Sequence, residues 1–129
     1  MRNALLLTLA LCIPTLAHAD GGVAVSMPDF PDFSPAQSQE MLTALVTAVV
    51  VGMNCPGFLI TEGEWSLLNG SGDIVAYDQL GLDVDAYVAD FFDPAFALLE
   101  KPGTCDTEGP KVQPLVGFLI GLGGSRDPQ

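Results

Sequence analysis

The side chains of this sequence that could do chemistry are mainly carboxylates, and five aspartates lie close together. They are Asp78, Asp83, Asp85, Asp90 and Asp93. Carboxylate oxygens suit calcium, but an EF-hand loop needs Asp-x-Asp-x-Asp-Gly with a distal glutamate, and that register is absent. We therefore expect a solvated acidic helix face, no dedicated metal site and no cofactor, while a cation bound at residues 78–93 stays an open alternative.

Glu62 and Glu64 form a second group of neighbouring carboxylates. A pair of carboxylates can act as general acid and base. Glu64 also completes a capping box with Thr61, because a glutamate three residues after a threonine cap can bond back to the cap's backbone N–H, and both acids suit the positive N-terminus of a helix. Capping accounts for both acids without a substrate, so no catalytic residue is predicted here.

Residues 1–19 have the three zones of a cleavable signal peptide. Arg2 supplies the positive start, residues 4–17 are apolar, and Ala17-His18-Ala19 is a small-x-small cleavage triplet. A membrane span needs roughly 20 apolar residues, so this segment is too short for an anchor. We expect an exported protein, periplasmic or extracellular, whose mature chain begins at Asp20.

Loss of His18 would leave the mature chain without histidine. Catalysis by Ser-His-Asp or Cys-His arrangements is then excluded, as are zinc sites that need imidazole. Gly70-Ser71-Gly72 also departs from the Gly-x-Ser-x-Gly spacing of a nucleophile elbow, and a turn is the simpler interpretation.

Two cysteines, Cys55 and Cys105, remain after signal removal. An even pair in an oxidising compartment predicts a disulfide, and their wide separation differs from the Cys-x-x-Cys of redox pairs. The mature chain also keeps only three basic residues against 16 acidic ones, which is a formal net charge of −13. Such a surface repels nucleic acid and anionic lipid heads, so neither is an expected partner.

Four helical segments are expected from capping signals and apolar periodicity. In the first, Ser34 caps the helix, Pro35 takes the first helical position, and Gln37 can close a capping box. Later helices are expected to begin at Thr61, at Asp83, and at Pro110 or Pro114. Whether the Asn69 to Gly72 stretch and Pro94 bend their helices or restart them is left open, as is a strand at residues 58–60.

The first helix is expected to be the most enclosed. Its main apolar stripe is Leu42, Leu45, Val46, Val49 and Met53, and the opposite side carries Ala44, Ala48 and Val51. A helix that is apolar on both sides is typical of the centre of a fold.

The predicted organisation is a single all-α domain over residues 35–124, a small four-helix bundle or irregular helical array stapled by one disulfide. A flexible leader rich in Pro, Asp and Phe precedes it at residues 20–34, and a polar tail follows at 125–129. The phenylalanines of the leader could instead dock a partner or fold back on the domain.

Two classes of function remain. We expect a non-enzymatic binding or interaction module for an unknown protein or small ligand. The alternative is a carboxylate-dependent hydrolase of the glycosidase type, which needs two acids facing each other about 5 to 10 Å apart across a pocket.

The exported protein is expected to begin at Asp20 and to be two hydrogens lighter than its fully reduced form. Intact mass spectrometry of the protein from the producing cells, with and without reduction, measures both properties. A mass that corresponds to a chain beginning at Met1 would contradict the signal-peptide prediction. Two free thiols would contradict the disulfide prediction.

Overall fold

The computed structural model describes residues 22–129. The predicted signal peptide, including His18, therefore lies outside the described residues. The described part is all-helical and contains four helical stretches, as predicted, but the fourth begins at Thr104 and not at Pro110 or Pro114. The first stretch is α1 (Pro35–Asn54), and the second is α2 (Glu62–Asp73) followed by a π-helical segment (Ile74–Gln79). The third consists of α3 (Val84–Tyr87), a π-helical segment (Val88–Phe92) and α4 (Asp93–Leu99). The fourth consists of α5 (Thr104–Glu108), a 3₁₀ turn (Gly109–Lys111) and α6 (Val112–Gly121).

Helix α1 begins as its sequence predicts. The Ser34 hydroxyl accepts from the backbone N–H of Gln37 at 3.2 Å, and the Gln37 side chain accepts from the backbone N–H of Ser34 at 2.9 Å. Pro35 occupies the first turn, where its missing N–H costs nothing. The helix ends at Cys55, whose N–H donates to the carbonyl of Val51.

Burial places α1 at the centre of the fold. It contacts α2, α4, α5, α6 and both π-helical segments. Its buried apolar side chains are Leu42, Leu45, Val46, Ala48, Val49, Val50 and Val51. Full burial of each larger side chain stabilises the fold by about 1.5–3 kcal/mol. No helix within residues 22–129 has the length and apolarity needed to cross a bilayer.

Two residues assigned to the enclosed faces of α1 lie at the surface instead. Met53 is 57% exposed because the last turn of the helix extends to the edge of the core. Ala44 is exposed because no neighbouring helix covers that part of α1. The prediction of burial was wrong for both residues.

The stretch from Asn69 to Gly72 does not interrupt its helix. α2 runs through it to Asp73 and widens into the first π-helical segment. Gly72 has a packing role, because a Cβ there would lie 2.7 Å from the hydroxyl oxygen of Tyr87. The glycine therefore lets the third helical stretch approach α2 closely.

Pro94 neither breaks the third stretch nor starts an isolated helix. Asp83 caps α3 as predicted, accepting from the backbone N–H of Ala86 at 2.7 Å. Pro94 has no N–H to give to the carbonyl of Asp90, and its ring crowds that carbonyl. The π-helical segment Val88–Phe92 precedes the proline, and the wider turns accommodate it.

The disulfide joins Cys55 at the end of α1 to Cys105, with 5.5 Å between the two Cα atoms. Cys105 lies in the short helix α5. Residues 58–60 are extended without strand pairing, and the structure has no strand within residues 22–129.

The leader differs from the expected flexible segment. Val25, Met27 and Phe30 pack against the core, so the segment folds back on the domain. Its backbone also pairs with the C-terminal residues: the N–H of Ser125 donates to the carbonyl of Ser26, and the N–H of Gln129 donates to that of Ala24, both at 2.9 Å. Apolar packing and backbone pairing together hold the leader and the tail on the domain.

Replacing Cys55 and Cys105 by serine is expected to lower the free energy of unfolding by about 2–5 kcal/mol, because the cross-link restrains a long loop of the unfolded chain. Urea unfolding of the double variant and the oxidised wild type at pH 7 measures the difference. Wild type kept in reductant is the matched control and should unfold near the midpoint of the variant. Equal midpoints for oxidised wild type and the double variant would contradict the prediction.

Candidate functional site

The five aspartates from Asp78 to Asp93 are divided between two helical stretches, because Asp78 lies in the π-helical segment Ile74–Gln79 and the other four lie at or beyond the start of α3. Asp83 is engaged as the cap of α3, and Asp93 opens α4. Across residues 22–129, no three Asp, Glu, Cys or His side chains gather in a group that could hold a metal ion. All five aspartates are exposed, and Asp90 lines the groove described below.

Glu64 is the most buried carboxylate among the described residues, with 3% of its surface exposed. One oxygen accepts from the backbone N–H of Thr61 at 3.0 Å, which closes the predicted capping box. The other accepts from the Gln113 amide at 2.8 Å and from the Arg126 guanidinium at 3.4 Å. Glu64 therefore ties the start of α2 to α6 and to the tail.

These partners keep Glu64 ionised. Burial is the largest single influence on the carboxyl group and on its own raises the pKa. The donors on Thr61, Gln113 and Arg126 together outweigh burial and lower the pKa below its ordinary value near 4.5. Such a carboxylate suits a structural role, because a general acid needs a raised pKa.

Asp73 is a carboxyl group whose pKa is raised. Burial raises it above the ordinary value of 3.8, and the Tyr87 hydroxyl opposes that rise. Burial also raises the pKa of Tyr87, followed by the nearby charge of Asp73. Tyr87 is packed edge-on against Tyr77 and in contact with Phe91 and Phe92, so this pair belongs to an aromatic cluster.

Ser71 has no access to a substrate. It is fully buried within α2, and its hydroxyl has no hydrogen-bond partner among the described residues. A nucleophile elbow exposes its serine on a sharp turn between a strand and a helix. The surroundings of Ser71 therefore agree with a packing role inside the helix.

A groove of about 1070 Å³ lies beside α1, and we call it the acidic groove. Three parts of the chain line it. Helix α1 contributes small side chains at helical spacing, including Ala36, Thr43, Ala44, Thr47 and Ala48. The groove exists because most of the elements that contact α1 pack against its other sides.

Larger apolar side chains line the rest of the acidic groove. The segment from the first π-helical segment to α4 contributes Leu80, Leu82, Phe91 and Leu98, and α6 contributes Val112 and Leu115. All but Val112 keep part of their surface exposed. Concave apolar surface of this kind is typical of binding sites.

The charged side chains of the acidic groove are Glu40, Asp90, Glu108 and Lys111. Lys111 pairs with Glu108 at 3.2 Å. Among residues 22–129, Glu40 and Asp90 have no basic partner within ion-pair distance. The groove thus combines apolar walls with two exposed, uncompensated carboxylates.

A smaller hollow of about 540 Å³ lies near the end of α1, beside Met53, Leu59 and Trp65. Gly22 of the leader also borders it. The two exposed side chains Met53 and Leu59 account for its apolar character.

Sequence reasoning did not find the acidic groove. Alternation of Ala and Thr along one side of α1 was present in the sequence, at positions 36, 43, 44, 47 and 48. A face of small residues is equally compatible with close helix packing, so the pattern could not show that this side is left uncovered. The groove depends on how the other three helical stretches are distributed around α1.

Glu64→Gln and Asp73→Asn are expected to change the pH dependence of stability in opposite directions. The folded pKa of Glu64 is lowered, so its contribution is present above pH 4.5 and is lost as the pH falls through the folded value. The folded pKa of Asp73 is raised, so its contribution is present below pH 3.8 and is lost as the pH rises through the folded value.

Urea unfolding between about pH 6 and pH 3 measures these contributions. The free energy of unfolding of wild type should exceed that of Glu64→Gln by about 1–2 kcal/mol near pH 6, where the charged hydrogen bonds are intact, and by less near pH 3. Relative to Asp73→Asn, wild type should gain stability as the pH falls. Parallel pH profiles for wild type and both variants would contradict the two assignments.

Comparison with known proteins found no match to this chain. No protein-family model matches it, and neither does any curated protein or solved structure. Its function is therefore inferred from the acidic groove itself.

Proposed function

We propose that this chain is an exported, non-enzymatic binding module that holds the apolar surface of a ligand in the acidic groove. The observation that carries the proposal is the groove itself: about 1070 Å³ of concave space with partly exposed Leu80, Leu82, Phe91 and Leu115 in its lining. Covering such side chains with a ligand removes apolar surface from water, which favours binding by about 25 cal/mol per Å² before the costs of association.

The disulfide supports the proposed export. A covalent link between Cys55 and Cys105 persists in oxidising compartments and is rare in the cytosol. The signal-peptide pattern of residues 1–19 points the same way.

The polar contacts favour binding over hydrolysis. A glycosidase needs one carboxyl group that can donate a proton and a second that stays ionised, facing each other across the substrate. The two carboxyl groups with shifted pKa values, Glu64 and Asp73, do not line the acidic groove, and each already has a partner within the fold. A carboxylate-dependent hydrolase would instead have to use Glu40 and Asp90 of the groove, which are both exposed to water rather than enclosed as a catalytic acid is.

Filling the acidic groove should weaken the binding of an apolar probe. Ala44 is exposed and lines the groove, so Ala44→Trp places a large ring in the empty space without entering the core. We expect a neutral, environment-sensitive dye such as Nile red to bind this variant on the order of tenfold more weakly than wild type, a loss of about 1.4 kcal/mol.

Dye fluorescence titration measures the affinities, and Ala97→Trp is the matched control. Ala97 is an exposed alanine on α4 that does not line the groove, so its variant should bind the dye as wild type does. Equal affinities for Ala44→Trp and wild type, or no binding by wild type, would overturn the proposed function.

A further inference from the structure

We propose that the occupant of the acidic groove is a cationic amphipathic helix of another protein. This inference rests on the proposed function and adds the chemistry of the partner. Its apolar face would lie on Leu82, Phe91 and Leu115, and its lysine or arginine side chains would reach Glu40 and Asp90.

The dimensions of the groove fit a helix. Its lining residues on α1 extend from Ala36 to Ala48, which is about 18 Å along a helix axis at 1.5 Å per residue. That length corresponds to roughly three helical turns of a partner. A helix docks in such a groove through apolar side chains at positions i, i+3 or i+4, and i+7.

The carboxylates of the groove favour a cationic partner. Glu40 and Asp90 line the groove and, within residues 22–129, have no basic side chain at ion-pair distance. Both are exposed, so they remain hydrated until a partner arrives. Lysine and arginine can lay their methylene stems along apolar walls while their charged ends reach a carboxylate at the rim.

The net charge of the chain disfavours the other occupants. A second copy would bring its own excess of acidic side chains, 16 against four basic ones in the full sequence, toward Glu40 and Asp90. Like charges brought together across an interface reduce affinity. Long-range attraction to the same negative surface would also speed the arrival of a cationic helix at low ionic strength.

A synthetic peptide tests the proposal directly. The probe is a leucine–lysine peptide of about 14 residues, long enough for the groove, with its leucines on one helical face. Two further peptides serve as comparisons: one with every lysine replaced by glutamate, and one of scrambled order with the same composition. Isothermal titration at low salt measures binding, and the Nile red assay measures displacement from the groove.

We expect the leucine–lysine peptide to displace the dye and to bind at least on the order of tenfold more tightly than either comparison peptide. Glu40→Gln with Asp90→Asn should weaken its binding on the order of tenfold as well. The matched control, Asp32→Asn with Glu100→Gln, changes the net charge equally at exposed positions outside the groove and should leave the affinity within about threefold of wild type. Because all four side chains are exposed, the unfolding midpoints should remain close to wild type.

The outcomes separate this inference from the proposed function. If the dye binds in an Ala44-dependent way but the peptide does not displace it, the cationic helix is wrong and the binding groove stands. Equal binding of the glutamate or scrambled peptide would also overturn the inference, as would equal losses in the two double variants. Self-association of wild type that Ala44→Trp abolishes would assign the groove to a second copy, and failure of both dye and peptide would overturn both proposals.

Discussion

The structure depends on the burial of the apolar side chains of α1. These side chains face more directions than one neighbouring helix can cover. Leu42, Leu45, Val46 and Val50 are all within 1% of full burial, and the helices that enclose them come from every later part of the chain. The remaining helices are short, and their own apolar stripes complete the core rather than forming separate ones. The part of α1 that these helices leave uncovered lines the acidic groove.

Glu64 is the polar counterpart of this apolar centre. It closes the capping box of α2 and at the same time accepts from Gln113 of α6 and from Arg126 of the tail. A buried carboxylate without such donors would cost several kcal/mol. One side chain thus satisfies a helix terminus and fixes the positions of two distant segments. Close contact between Gly63 and the backbone of Arg126, where a Cβ would collide with the carbonyl, shows how tightly the tail is held.

The sequence predicted those features whose causes are local. Ser34, Thr61 and Asp83 each cap a helix because the capping side chain and the N–H it bonds lie three residues apart, and the structure confirms all three. The cysteine pairing followed from there being two cysteines left to pair, and it too is confirmed as a bond in the structure. The docked leader, the exposed Ala44 and the acidic groove were not predictable in this way. Each depends on which surfaces remain free once distant segments have packed, and single-sequence periodicity carries no such information.

Because of its partners, Glu64 can be buried only after residues from a later part of the sequence have packed against it. Gln113 and Arg126 belong to the last seventeen residues, whereas Glu64 lies in the middle of the sequence. The Thr61 cap of α2 can form from neighbouring residues alone, but the carboxylate of Glu64 stays hydrated until Gln113 and Arg126 pack against it. Burial of Glu64 therefore depends on this long-range contact, and a chain cut short before Arg126 would leave the junction open to water.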